Sequence, residues 1–219
     1  MLRRQIKPVM QWKQVSSTAI DSLVLDDFKT FIHRPLEDDF WDAETTGFIS
    51  AAQKAIEKHC DLTIVPAEWI GYLPFFSDSI EIVRRPFREV TKIEYVDEEG
   101  QIQTLPTDRY QVSDAGMMTG MILRGEDYDW PNTARRRDAV RIYVKSGFYD
   151  LEGEVTIPPE IKQALFMTVA EIDQNRGDVM GNSQAGSTVY AMKNSRHAFL
   201  SEITQNLLVP FKYMEISLI

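Results

Sequence analysis

The chain has 219 residues, 43% of them hydrophobic, which is enough to bury one good core or one core with appended arms. Its 33 acidic and 24 basic residues leave a formal charge of −9, which argues against a protein whose main task is gripping nucleic acid, because neutralising phosphates takes a surplus of Lys and Arg. Cys60 is the single cysteine, so no intrachain disulfide can form; inside a helical pattern it reads as a small packing residue, compatible with a reducing cytosol.

From Met1 to about Ser22 the chain mixes Pro, Gln, Ser and Thr without sustained periodicity, and residues 1–22 read as an N-terminal arm that orders only against something else. The apolar stretch of a secretory signal is missing, and no apolar run approaches the roughly 20 residues that span a bilayer. A soluble protein, intracellular when made and not inserted in a membrane, is expected. Asp21 or Ser22 reads as an N-cap, with a short helix over Asp26–Ile32 that ends before Arg34-Pro35.

The clearest helix runs from about Asp38 to Cys60. Trp41, Thr45, Phe48, Ile49, Ala52, Ala55, Ile56 and His59 give it one apolar or small face. Acidic Asp38, Asp39, Asp42 and Glu44 at its start and Lys54 and Lys58 near its end suit the helix dipole. Strand patterns then follow over 63–73, 79–83, 90–96, 101–105, 109–112, 121–123 and 139–144. In the last, Val140, Ile142 and Val144 alternate with Arg141, Tyr143 and Lys145, so one face is buried and the other wet. Asp97-Glu98-Glu99-Gly100 reads as a hairpin loop in which Gly100 supplies the positive φ.

Pro158-Pro159 opens another helix, with Ile161, Ala164, Leu165, Thr168, Val169 and Ile172 as its apolar stripe and Gly177 as its C-cap. Residues 177–188 read as a flexible loop of Gly, Asn, Ser and Gln. A last amphipathic pattern takes in Val189, Met192, Arg196, Phe199, Leu200, Ile203 and Leu207 and must end before Pro210. The remaining tail, with Pro210, Phe211, Tyr213, Met214, Ile216, Leu218 and Ile219, is too apolar to be left in water. It pairs with the chain's own sheet or buries itself in a partner.

Residues with chemical potential have simpler readings. Asp38-Asp39 suits a helix start and Asp97-Glu98-Glu99 a solvated turn. His33, His59 and His197 lack ligand-like spacing, and no nucleophile-elbow, zincin or Walker sequence occurs. No catalytic residue, metal site or cofactor is assigned. Arg135-Arg136-Arg137 is the sharpest basic cluster, readable as a solvated loop or as a contact for DNA phosphates or an acidic neighbour. Trp41, Trp69 and Trp130 read as core or inter-subunit anchors. Trp12, placed in the arm, reads as an interface residue because it has little domain to bury in.

In order and spacing these pieces resemble the tailed-bacteriophage head-tail connector family, the adaptor or head-completion proteins, over about Leu23–Ile216. Leu25-Asp26-Asp27-Phe28-Lys29 is similar to that family's opening helix, and Phe48–Glu57 to its second, with Asp61-Leu62 where Gly or a small residue usually stands. Ile80–Tyr95 resembles its strand, R-x-P and strand module, and Gly100, Leu105, Pro106 and Tyr110 its hairpin. Trp130-Pro131 with Ala139–Phe148, Ile157–Ala164, and Leu207–Lys212 resemble three further motifs.

The resemblance implies a non-enzymatic ring subunit, usually in a dodecamer, that sits on the portal protein at the virion neck. It extends the DNA channel toward a stopper or tail-completion protein. DNA would pass without sequence-specific binding, along a predominantly negative wall. The segment after Pro210 would insert into the portal, and Arg135, Arg136, Arg137 and Trp12 would be candidate inter-subunit or DNA contacts, the arginines meeting a neighbour's acidic helix. The implied fold is α+β: a small helical bundle over 23–209, an inserted antiparallel β module at about 63–149, and an extended C-terminal docking tail at 210–219. A stopper or tail-terminator ring of the same neck, or an unrecognised enzyme such as a nuclease, are the rival readings.

Overall fold

The computed structural model describes residues 9–113, 118–149, 153–175 and 200–212, the side chains of residues 21, 22 and 175 excepted. Its fold is α+β, with four α-helices and eight strands among those residues. The chain divides into two compact units, one built from the segment up to Thr18 with Val65–Val155, the other from Ala19–Ile64 with the chain from Thr156 on.

The first unit holds two antiparallel sheets. In the larger, strands β1 (Gln11–Ser17), β2 (Ala67–Leu73), β4 (Phe87–Val96), β5 (Ile102–Thr104) and β8 (Val140–Ser146) lie in the order β1-β2-β8-β4-β5. In the smaller, β3 (Ser79–Ile82), β6 (Tyr110–Ser113) and β7 (Gly120–Arg124) lie in the order β3-β7-β6. Their inward faces share one core that includes Leu73, Ile80, Ile82, Phe87, Ile93, Ile122, Ile142 and Val144. Each such side chain contributes about 1.5–3 kcal/mol by leaving water.

Strand β8 alternates buried and half-buried residues from Val140 to Ser146, as its sequence pattern predicts. Gly100 takes φ 81° in the β4–β5 turn, where its N–H donates to Asp97 O at 3.0 Å.

The segment expected to be an unpaired arm instead contains β1, which pairs antiparallel with β2 from Gln11↔Tyr72 to Ser17↔Ala67. Gly71 makes room for it. A Cβ there would stand 2.3 Å from Met10 Sδ and 3.0 Å from the Trp12 ring, so the missing side chain lets Trp12 of β1 and Met10 just before it pack on the core.

The second unit is helical: α1 (Asp21–Phe31), α2 (Asp42–Cys60), α3 (Pro159–Asn175) and α4 (Glu202–Leu208). Helix α1 begins five residues before the expected Asp26, and no side chain caps it. Ile20, Val24 and Phe28, spaced by four, are all buried there, so packing rather than a cap sets its start. Helix α2 buries Thr45, Ile49, Ala52, Gln53, Ile56 and Cys60. Cys60 packs close enough for its Sγ to approach Leu208 O of α4 at 4.0 Å. Lys162 of α3 pairs with Asp27 of α1.

Two further helical expectations are corrected. Helix α2 starts at Asp42, not Asp38, because residues 35–41 form turns in which Asp38 N–H donates to Pro35 O and Asp42 N–H to Asp39 O. Leu200, just before the last helix, is buried as expected, but within the helix Thr204 and Leu208 are buried while Ile203 is exposed, one position off the expected Ile203 and Leu207. Val189, Met192, Arg196, Phe199, the Gly177 cap and the 177–188 loop lie outside the described residues.

Candidate functional site

Four surfaces carry the candidate contacts. The first is the exit toward the C-terminus. Ser201 caps α4, its Oγ accepting from Thr204 N–H at 3.4 Å, and Gln205 Nε2 donates to Leu200 O at 2.8 Å. With Leu200, Thr204 and Leu208 buried, the helix is anchored up to its end, where Val209–Phe211 form a single 3-10 turn. Pro210 is exposed and Phe211 half-buried. Tyr213, Met214, Ile216, Leu218 and Ile219 of the expected docking tail lie outside the described residues.

The second surface is the loop before β8. Arg136 is engaged within it, its Nε and Nη2 each 2.6 Å from the Asp138 carboxylate. That bidentate pair holds the Asp138 carboxyl below the usual range and the Arg136 guanidinium above its own. Asp138 also accepts from Arg141 Nη2 at 3.4 Å. Arg135 and Arg137 are exposed and make no ion pair among the described residues.

The third is the outer face of the larger sheet, where charges alternate across strands. Lys92 Nζ and Tyr143 Oη donate to the two oxygens of Glu94 at 2.7 and 2.8 Å. Lys145 pairs with Glu89 at 2.9 Å, and Lys92 stands 4.2 Å above the Tyr143 ring. Burial alone would raise the Glu94 carboxyl, but the hydrogen bonds from Lys92 and Tyr143, with the charges of Lys92 and Arg141, leave it below its ordinary value.

The fourth joins α1 to α2, where the sequence from His33 to Asp42 is unusually acidic and aromatic but gives no sign of a buried lysine. Lys29, only 3% exposed, donates to Leu36 O at 3.1 Å and to Asp42 Oδ2 at 2.8 Å. His33 turns the chain at φ 57°, and Asp38 Oδ1 accepts from Phe40 N–H at 3.3 Å. The loop is thereby fixed while Leu36 stays 53% and Phe40 77% exposed, Phe40 meeting Trp41 edge-on at 4.7 Å. A helix starting at Asp38 would have hidden this arrangement, and a mid-helix lysine that is buried rather than solvated leaves no trace in the periodicity.

Trp12 belongs to none of these surfaces. It packs on the β core with the Arg84 guanidinium 5.4 Å from its ring and 4.3 Å from that of Trp69. The premise that it lacks a domain to bury in does not hold. Trp69 Nε1 donates to Ser146 Oγ at 2.9 Å, and Trp130 stacks on Phe76 with ring centres 4.6 Å apart. Among the described residues no group of three or more His, Cys, Asp or Glu is placed to hold a metal ion, and no helix is long and apolar enough to cross a membrane.

The described residues thus define an α+β chain with a two-sheet unit, a helical unit and fixed, charged or apolar projections. No family model and no curated protein matches the sequence. The fold, however, is similar to that of solved chains. One belongs to a structure of the virion of a native gene transfer agent particle, at TM-score 0.67 and 17% identity, over 94% of this chain and 97% of that one. Another belongs to the neck of an empty particle of that kind computed with C6 symmetry, at TM-score 0.66, 17% identity and the same coverage. A third belongs to the neck of the native particle computed with C12 symmetry, at TM-score 0.62 and 15% identity, again over 94% and 97%.

Proposed function

We propose that this chain is a structural subunit of the neck of a tailed-phage-like particle, an adaptor that forms a ring beneath the portal, extends the DNA channel and joins the packaged head to the tail. The observation that carries the reading is the fold likeness to chains of gene transfer agent neck and virion structures, which spans 94% of this chain and 97% of the neighbours. Those necks were computed with C6 and C12 symmetry, which suits a cyclic assembly and the dodecamer implied by the resemblance to head-tail connectors.

The adaptor position within the neck rests on the apolar sequence after Pro210. A terminal peptide of Phe, Tyr, Met, Ile and Leu leaving an anchored helix end suits insertion into a portal groove. Repeating the same modest apolar contact around a ring multiplies its effect through avidity. The role is mechanical rather than enzymatic, and DNA passes without sequence-specific binding.

Electron cryo-microscopy of portal-bearing particles with the intact chain and with a chain lacking residues 211–219 tests this. A ring on the portal that the truncation removes is the expected result and assigns docking to the tail. A ring that survives truncation keeps the adaptor but moves docking elsewhere. A ring farther from the portal makes the chain a stopper or tail terminator, and its absence from the neck overturns the reading.

A further inference from the structure

We propose that the loop between α1 and α2 is a contact knob for a second copy of this chain, received by that copy's Arg135–Arg137 loop; the inference rests on the ring reading above. Three features of the knob point to a partner. Its apolar surface is large for a short loop, with Leu36 and Phe40 both more than half exposed and the Trp41 edge beside them. It is rigid, because buried Lys29 ties the Leu36 carbonyl to the Asp42 carboxylate and Asp38 holds the Phe40 backbone. An aromatic side chain on a backbone already held in place adds less ordering cost on docking, which suits an interface anchor. Its tip is acidic, with Glu37 and Asp39 exposed beside half-buried Asp38, while the loop's arginine, Arg34, is half-buried.

The occupant follows from charge. On an acidic protein, Arg135 and Arg137 are both exposed in one loop and make no ion pair among the described residues, and the Arg136–Asp138 pair braces that loop. Glu37 and Asp39 of one copy complement Arg135 and Arg137 of the next, and a guanidinium stacks on the exposed Phe40 ring. In the ring of the reading above, knob and receiver are different surfaces of neighbouring copies, so the contact is heterologous: it runs head to tail and closes as a ring when the rotation permits.

The test uses particle-producing cells that express two differently tagged copies, one Asp39→Cys and the other Arg137→Cys, followed by a short bis-maleimide linker on purified particles. Native Cys60 is buried and does not interfere. Cross-linked dimers carrying both tags are expected, and none when either variant is expressed alone. Phe40→Ala, at an exposed position, leaves the unfolding midpoint unchanged yet lowers incorporation into the neck about tenfold or more, as loss of an interface anchor does. Glu37→Lys with Asp39→Lys has the same effect, and adding Arg135→Glu with Arg137→Glu to the same chain restores incorporation. Complete neck rings that give no cross-link and tolerate Phe40→Ala overturn the contact and leave the ring reading standing. A neck without this chain overturns both.

Discussion

At the end of α2, Asp61 sits at φ 52° and ψ 52°, in the left-handed region, while its N–H and that of Leu62 both bond to Glu57 O. The Leu62 bond is the six-to-one bond of a Schellman motif and the Asp61 bond the five-to-one bond of the simpler left-handed cap, made with a residue that has a Cβ where glycine is cheapest. Replacing Asp61 with Gly is expected to stabilise the fold by about 0.5–1 kcal/mol, read as a rise of a few degrees in thermal midpoint by circular dichroism. A fall would show that the Asp61 side chain contributes more than the backbone strain costs. The position was legible in part, since the resemblance already put a small residue there. The buried role of Lys29 was not, because a lysine on a helix face normally reads as solvated and its partner Asp42 lies beyond a loop whose turns the sequence pattern took for helix.

Strands declare themselves more plainly than helix ends. The alternation in β8 is read from three branched apolar residues against three polar ones, and the cross-strand partners confirm the register: Arg141 faces Glu94 and Lys145 faces Glu89. Helix α2 had the right period but the wrong start, because acidic residues at 38 and 39 suit a turn as well as a first helical turn. Strand β1 had no readable period at all; the missing side chain of Gly71, distant in sequence, is what seats it.

The charged face that β8 shares with β4 makes stability depend on acid. Glu94, Asp97 and Asp138 all have folded values below their ordinary ones. For Glu94, burial is outweighed by Lys92 and Tyr143, whereas Asp97 is lowered by bonds from Gln103 and Gln101 and Asp138 by Arg136. An acid with a lowered folded value binds protons more readily when unfolded. Its contribution is therefore complete above the unfolded value and is lost as pH falls through the folded one. Unfolding free energy from urea titrations should stay level above about pH 5 and decline below about pH 4. The decline should be shallower in Glu94→Gln combined with Asp138→Asn. An identical acid limb in the double variant would assign the loss to other carboxyls.

At the scale of the whole molecule, charge decides how a neck ring would treat DNA. With 24 basic against 33 acidic residues the chain is −9, and of its one arginine triplet Arg136 is already neutralised by Asp138. Non-specific DNA affinity comes from releasing counterions by Lys and Arg contacts, and weakens steeply with salt when there are several. Two exposed arginines on an acidic surface supply too few, and the surrounding carboxylates repel phosphate. Fluorescence anisotropy with a duplex of about 30 base pairs should therefore show no binding at about 150 mM salt, with Arg135→Ala plus Arg137→Ala indistinguishable from the native chain. Tight binding that falls by several powers of the salt concentration, and is lost in the double variant, would instead make the triplet a DNA clamp. It would also take those arginines away from the Glu37–Asp39 knob of a neighbour. Absence of DNA binding together with cross-linking between copies would assign the arginines to the contact between copies.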